Sequence, residues 1–408
     1  MSGSSLDGLD IAYVHLQVNG GKWEFSLVAT VTYPYTDEWR KKLADAPRLS
    51  ALEYQLLHTD YGHYLGEQVN RFIEEHQLHY QVQLIASHGH TSFHLPGRKM
   101  TAQLGDGAAL AAETRINVVS DLRAMDLALG GQGAPIVPIG EKLLLPGYGY
   151  FLNLGGIANL SGHIDGSPGS AGAEGAGSGK GNTEGAGSGK GRPEGSFIAF
   201  DVCPSGRVLD SLAALAGRKY DEGGTLTSSG KIDEGLLQRM NALPYYGMGY
   251  PKSLANDFGT DTVYPMIMEA GLTPADALRT YTEHICVQIR NAIAGLRNGG
   301  RKAGNEGMPE NAGGQSGNGG GKVEGDGRLL VTGGGAHNRF LIARLQELLE
   351  PMQIEVVVPD KELVDNKEAL VMALIGVLRW REESNVLASV TGASRDSIGG
   401  AVWIGQEA

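Results

Sequence analysis

The chain has 408 residues, with 46 acidic and 34 basic side chains and a formal charge of −12. Hydrophobic residues make up 41%, enough for sizeable cores, and at ~150 residues per domain the length predicts two to three domains. The acidic excess argues against duplex nucleic acid as the main partner, because phosphate binding there needs clustered Lys and Arg; a nucleotide needs only a local pocket of backbone N–H groups and a metal.

Two cysteines, Cys203 and Cys286, allow at most one bridge, which predicts a reducing, cytoplasmic setting. The start, Met1-Ser2-Gly3-Ser4-Ser5, has no basic lead and no apolar run of a targeting segment. The longest apolar stretch, Ala369 to Trp380, falls short of the ~20 residues that span a membrane. We therefore expect a soluble protein with no membrane partner.

In chain order, Asp10–Leu16 and Glu24–Tyr33 read as strands, from their β-branched and aromatic content. Asp37–Asp45 and Leu52–His76 read as helices, and Gln83–Ser87 as a short buried strand. Leu104–Thr114 reads as a strand end and a helical turn, Asn117–Ser120 as a strand, and Tyr150–Leu154 as a strand entering a glycine turn. Phe197–Phe200 reads as a buried strand and Val208–Ala216 as a helix. Pro274–Leu296 predicts a long helix with Thr273 as N-cap and Pro at its first position. Arg328–Thr332 and Ile354–Val358 read as strands, Asn338–Glu350 and Lys367–Arg381 as helices. Such alternation predicts an α/β fold, and the length suits two lobes.

Two stretches, 161–196 and 298–328, hold about 25 of the 62 glycines and almost no large apolar residues. They cannot bury enough surface to offset chain entropy, so they read as disordered insertions. The first repeats Gly-Ala-Gly-Ser-Gly-Lys-Gly at Gly175 and Gly185. This is not a phosphate loop: it has three residues between the glycines where four are needed, and glycine replaces the metal-binding hydroxyl.

Three other glycine turns adjoin strands. They are Gly3-Ser4-Ser5-Leu6-Asp7-Gly8-Leu9-Asp10, Asn153-Leu154-Gly155-Gly156, and Gly333-Gly334-Gly335-Ala336-His337-Asn338. Each alone is equally a tight turn without a ligand. Together they match a two-lobed nucleotide fold in which each lobe supplies one phosphate turn and the third holds the nucleoside. Among acids, Asp201 ends an apolar strand and precedes Pro204 and a helix, the placement of a general base facing a cleft; the alternative is a helix N-cap. Glu368 stands near a helix start, where an acid also suits the macrodipole. His88, His90 and His94 could line a substrate loop, act structurally or bind a metal, and no Cys or carboxylate joins them in the same stretch. Arg123 is either an anion-binding fork or a surface ion pair.

With these residues stand Ser87-His-Gly-His-Thr91, Val118-Val-Ser-Asp-Leu-Arg123, Gly130-Gly-Gln-Gly-Ala-Pro135, Phe200-Asp-Val-Cys-Pro204, Lys367-Glu-Ala369 and Thr391-Gly-Ala393. In this order they resemble the anhydro-N-acetylmuramic acid kinase family, of the actin/hexokinase/Hsp70-like superfamily. The resemblance spans the chain outside the two Gly-rich stretches. It implies a two-lobed, ribonuclease H-like α/β fold, with one lobe of 1–137 plus 388–408, the other of 138–387, and an active site between them. It implies water opening the 1,6-anhydro ring and transfer of the ATP γ-phosphate to the freed O6, with magnesium. On that basis Asp201 and Glu368 are catalytic, and His88, Thr91 and Arg123 bind the sugar. ATP meets Gly3, Ser4, Ser5, Leu6, Asp7, Gly8, Leu9, Asp10, Asn153, Gly155, Gly156, Gly333, Gly334, Gly335 and Asn338. Asp7 and Asp10 hold magnesium through water. The resemblance also suggests a homodimer, and it places an apolar strand ahead of the first turn; without one, a gap is expected in the core of the first lobe.

Overall fold

The computed structural model describes residues 1–3, 6–163, 197–250, 252–255, 257–298 and 327–405. The two Gly-rich stretches lie almost wholly outside the described residues, and so do Ser4 and Ser5.

The chain opens with a hairpin, β1 (Gly8–Asn19) and β2 (Lys22–Pro34), turning at Gly20 and Gly21. Helices α1 (Asp37–Asp45) and α2 (Ala51–Glu75) follow, the latter started by a reciprocal Ser50–Glu53 capping box. Next come β3 (Ile85–Ala86), the hairpin β4 (His90–Leu95) and β5 (Met100–Leu104), α3 (Gly107–Thr114), β6 (Val118–Ser120), α4 (Ala124–Ala128) and α5 (Pro138–Leu144). The second half begins with β7 (Tyr150–Leu154), β8 (Ile157–His163) and β9 (Phe197–Pro204), then α6 (Gly206–Ala214), α7 (Thr225–Ser229), α8 (Glu234–Asn241) and α9 (Tyr264–Glu269). The long α10 (Pro274–Arg297) has the expected Thr273 cap. Last come β10 (Arg328–Thr332), α11 (Arg339–Leu349), β11 (Glu355–Val357), α12 (Lys361–Trp380), α13 (Ala388–Thr391) and β12 (Ala401–Trp403).

The second half is built on a five-stranded sheet in the order β11-β10-β7-β8-β9. Strands β11, β10 and β7 are parallel, and β8 and β9 are antiparallel to their neighbours. The period of two explains why it is covered on both faces. Leu152, Leu160, Ile198, Leu329 and Val331 point to the α10 side, while Phe151, Phe197, Ala199 and Leu330 point to the α12 side. Both sets are nearly or wholly buried.

The first half holds the β1–β2 pair and a three-stranded sheet, β12-β6-β3, with β3 and β6 parallel. Its succession of an antiparallel pair, then two parallel strands, mirrors β9-β8 and β10-β11. In the second half β7 fills the place between them. In the first half that place is a trough of about 570 Å3 between β1 and β3, floored by Met372, Ala373 and Val377 of α12. The facing edges of β1 and β3 have no strand partner among the described residues. Ser2 stands at one end of the trough, bridging antiparallel to Leu9 and parallel to His90.

Several element bounds differ from expectation. Helix α12 starts six residues before Lys367, because Asp360 caps it through the Leu363 N–H. The first Gly-rich stretch was expected to begin at Ser161, yet Ser161, Gly162 and His163 finish β8, where their pairing with β9 outweighs their polar composition. The β4–β5 hairpin is a register of polar residues whose apolar alternation is too weak to read in advance.

Candidate active site

One polar row crosses the main sheet. Thr332 on β10 pairs with Asn153 on β7, Asn153 with Asn159 on β8, and Asn159 with Asp201 on β9. Directly opposed residues share a face, so these four side chains point to one side near the ends of β7 and β10. Asp201 is held from two directions. Asn159 Nδ2 donates to its Oδ1 at 2.6 Å. The Leu254 N–H (2.8 Å) and the Ser253 hydroxyl (3.1 Å) donate to its Oδ2. Its own N–H donates to the Lys252 carbonyl, so residues 252–254 wrap the strand end. Asp201 is not a helix N-cap; Ser205 occupies that position for α6.

Glu368 faces this row. Asn153 Nδ2 lies 3.4 Å from its Oε1. With α12 beginning at Lys361, Glu368 lies beyond the first turn, where a carboxylate gains nothing from the macrodipole; Glu362 is the first-turn acid. Asp201, Glu368, Asn153, Asn159 and Arg123 line one cavity of about 250 Å3. That is below the ~300–1,000 Å3 of drug-sized sites, so it admits one small ligand.

Arg123 reaches the cavity under constraint. Its Nε donates to His88 Nε2 at 2.9 Å and its Nη1 to the Gly133 carbonyl at 2.5 Å. The buried Asp126 carboxylate accepts from the Gly133 N–H and from Thr391 Oγ1, both at 2.7 Å. The Gly130–Pro135 loop is thereby pinned around the guanidinium. Burial lowers the Arg123 pKa to about 10, and the Glu368 charge opposes that shift. This is no surface ion pair.

His88 was expected to touch substrate, but both its nitrogens are engaged. Because Arg123 donates to Nε2, the proton sits on Nδ1 and is given to the Gly89 carbonyl, 3.1 Å away. Burial, then the nearby guanidinium, pushes its pKa down to about 3. His88 thus stands behind Arg123 as a neutral acceptor. Thr91 is exposed on β4 and is met by Gln103 Nε2 at 3.4 Å; neither His88 nor Thr91 lines the 250 Å3 cavity. His90 and His94 contact Ser2 and Thr101 separately, and among the described residues no three His, Cys, Asp or Glu side chains cluster to hold a metal.

The glycine turns follow two adjacent parallel strands. Gly155 and Gly156 extend β7, and Gly333, Gly334 and Gly335 extend β10. Crevices beyond the carboxyl ends of parallel strands are where α/β sheets take ligands. Gly333 has φ +83°, and a Cβ there would stand 2.3 Å from Asn153 Oδ1, so the turn and the acidic row are packed against each other. Asn338 Oδ1 is committed to capping α11 through the Leu341 N–H. In the first turn, the Leu6 N–H donates to the Gly3 carbonyl, Asp7 is exposed, and Asp10 accepts from Thr32 Oγ1 at 2.6 Å. Gly8 and Leu9 are strand residues of β1, and the Leu9 side chain belongs to the core, leaving only backbone for a ligand.

Sequence reasoning passed over several residues that shape the cavity. Asn159 was visible beside a glycine turn, and its cross-strand position is what gives it a role. Ser253 and Leu254 carry no local signal at all. Lys367, Glu141 and Ser161 form a buried ion pair and hydrogen bond in the cavity wall.

Glycine turns at the carboxyl ends of two adjacent parallel strands, beside an acidic cavity, define an α/β protein with a crevice suited to a phosphate-bearing ligand. The family model for anhydro-N-acetylmuramic acid kinase matches residues 1–183, 191–303 and 321–405. A relative named anhydro-N-acetylmuramic acid kinase from Gloeobacter violaceus is 31% identical, over 97% of this chain and 95% of its own. Another of that name from Hydrogenovibrio crunogenus is 29% identical, over 99% of this chain and 96% of its own. The chain belongs to the anhydro-N-acetylmuramic acid kinase family, a family of phosphotransferases. A solved activator of 2-hydroxyisocaproyl-CoA dehydratase from Clostridium difficile, with bound ADPNP, is 14% identical over 65% of this chain and 68% of its own, with a TM-score of 0.32. No described helix is long and apolar enough to cross a membrane.

Proposed function

We propose that the protein opens the 1,6-anhydro ring of anhydro-N-acetylmuramic acid with water and phosphorylates the released O6 from ATP, giving N-acetylmuramic acid 6-phosphate. The observation that carries this reading is the meeting of Asp201, Glu368 and Arg123 in one small cavity beside the Gly155 and Gly333 turns. Asp201, fixed by three donors, removes a proton from the water that attacks the anomeric carbon. O6 leaves as that bond breaks and takes the γ-phosphoryl group, so ADP departs. Phosphoryl transfer needs mainly positioning and charge neutralisation. Arg123, locked by His88 and Gly133, offers its remaining donors to a sugar oxygen or the lactyl carboxylate. The Gly155–Gly156 and Gly334–Gly335 segments supply N–H groups for the phosphates, while the Gly333 N–H is held by the Val364 carbonyl.

Magnesium supplies charge neutralisation on the transferring phosphoryl group. The reading takes the ion to sit among nucleotide phosphates and water, with Asp7 and Asp10 as outer acids. The reading takes residues 1–137 with 388–408, and 138–387, as two lobes closing on their ligands, and places the product in murein recycling. It is tested by adding the anhydro sugar and Mg-ATP to the purified protein and following ADP and sugar 6-phosphate. Heavy-oxygen water should label C1; label-free product would instead mark a kinase for an ordinary sugar hydroxyl. A second reading is a relative that binds these ligands without turnover; binding of both ligands with no ADP release would establish it.

A further inference from the structure

Helix α12 buries a stripe made of Leu363, Val364, Leu370, Val371, Leu374 and Ile375, and in its middle sits Lys367. The Lys367 and Glu141 side chains are 3% and 4% exposed, and Nζ lies 2.7 Å from Oε1. The Ser161 hydroxyl donates to Glu141 Oε2, which completes the carboxylate's partners. Three elements, α5, α12 and β8, therefore meet in one ion pair. The seam beside it is tight: a Cβ on Gly140 would stand 2.3 Å from Val371, one turn along α12 from Lys367. A buried pair of this kind is often no more stabilising than well-packed apolar residues, so stability does not explain it.

We propose that the Glu141–Lys367 pair is a positioning device that sets the rotation of α12 and so aims Glu368 across the cavity at Asn153 and the reacting sugar; this rests on the function proposed above. Successive helical residues point about 100° apart, so a Lys367 anchored through α5 leaves Glu368 one bearing. Ser161 links the anchor to the base: it lies two residues from Asn159 on β8, and the two therefore face the same side. Through β8, one strand face braces Asp201 by Asn159 and the Glu368 helix by Ser161. An apolar pair at the same positions would slide and rotate more freely, because dispersion contacts have no direction.

The test is the double replacement Glu141→Leu with Lys367→Met, which leaves no buried charge unpaired. A thermal midpoint at or above that of the parent chain is expected. The kcat with the anhydro sugar should fall roughly 10-fold to 100-fold, the cost of a misplacement near 1 Å, while the KM for ATP stays unchanged. Lys367→Arg, which can still reach Glu141, should recover much of that loss. A double variant with parental kcat and KM overturns the proposal, as does a fall in ATP affinity that parallels the fall in kcat, since that marks general loosening. A parent chain with no turnover instead removes the proposed function. The positioning role is then read from a crystal structure of the double variant: Glu368 displaced from Asn153 supports it, and an unmoved Glu368 overturns it.

Discussion

Replacing Asp201 by Asn separates holding from chemistry. The carboxylate accepts three hydrogen bonds, one on Oδ1 and two on Oδ2. The amide has one acceptor oxygen and an NH2 that can only donate. Its best orientation turns the oxygen to Ser253 and Leu254 and sets the NH2 against Asn159, whose own amide can flip to accept. The net loss is about one charge-assisted hydrogen bond, ~1.5–3 kcal/mol. At about 2–4 °C per kcal/mol, that lowers the thermal midpoint by roughly 3–12 °C and leaves the chain folded. In the proposed role of Asp201 as general base, its loss is a separate effect and costs about 100-fold to 10,000-fold in kcat. The assay is ADP release with the anhydro sugar and Mg-ATP, beside calorimetric ATP titration and a melting curve. We expect the turnover to collapse, ATP binding to persist and the fold to survive. Turnover within tenfold of the parent, in a folded Asp201→Asn variant, would refute the assignment of the base.

Three further outcomes follow from particular contacts. Gly333→Ala forces a Cβ to 2.3 Å from Asn153 Oδ1 at φ +83°, a conformation costing about 1–3 kcal/mol for a non-glycine residue; we expect lower stability and a raised KM for ATP, and an unchanged KM would separate this turn from the nucleotide. His88 has a folded pKa of about 3, below its unfolded value of 6.5, so the unfolded chain binds the proton first on acidification. Its contribution is full above pH 6.5 and is lost as pH falls toward 3, at about 1.4 kcal/mol per pH unit. Between pH 6.5 and 5 the parent should therefore lose about 2 kcal/mol more than His88→Gln in urea unfolding, and equal losses would show that His88 is not held neutral. For the trough, an apolar pentapeptide joined ahead of Met1 should raise the urea midpoint and slow amide exchange in β1 and β3. The same extension with alternating prolines, which cannot donate to a ladder, should do neither; equal effects from both would exclude strand pairing as the cause.

Local chemistry made much of this protein readable in advance. Thr273 before Pro274 announces the start of α10, because a side-chain cap and a preset φ are properties of neighbours in sequence. The apolar runs Leu329–Val331 and Tyr150–Leu152 announce strands covered on both faces, and the glycines after them announce turns. Asp201 and Glu368 were identifiable as candidate acids from the company they keep in the sequence. What these residues do together was decided at long range. The row Thr332, Asn153, Asn159 and Asp201 exists only when four strands lie in register. The Glu141–Lys367 pair joins residues 226 apart, and nothing in either neighbourhood predicts the other. His88 changed from a substrate contact to a support for Arg123 once both of its nitrogens were seen to be engaged. Capping, periodicity and turn chemistry act within a few residues, so they are written along the chain; the aim of a side chain into a shared cavity depends on partners that only packing brings within reach.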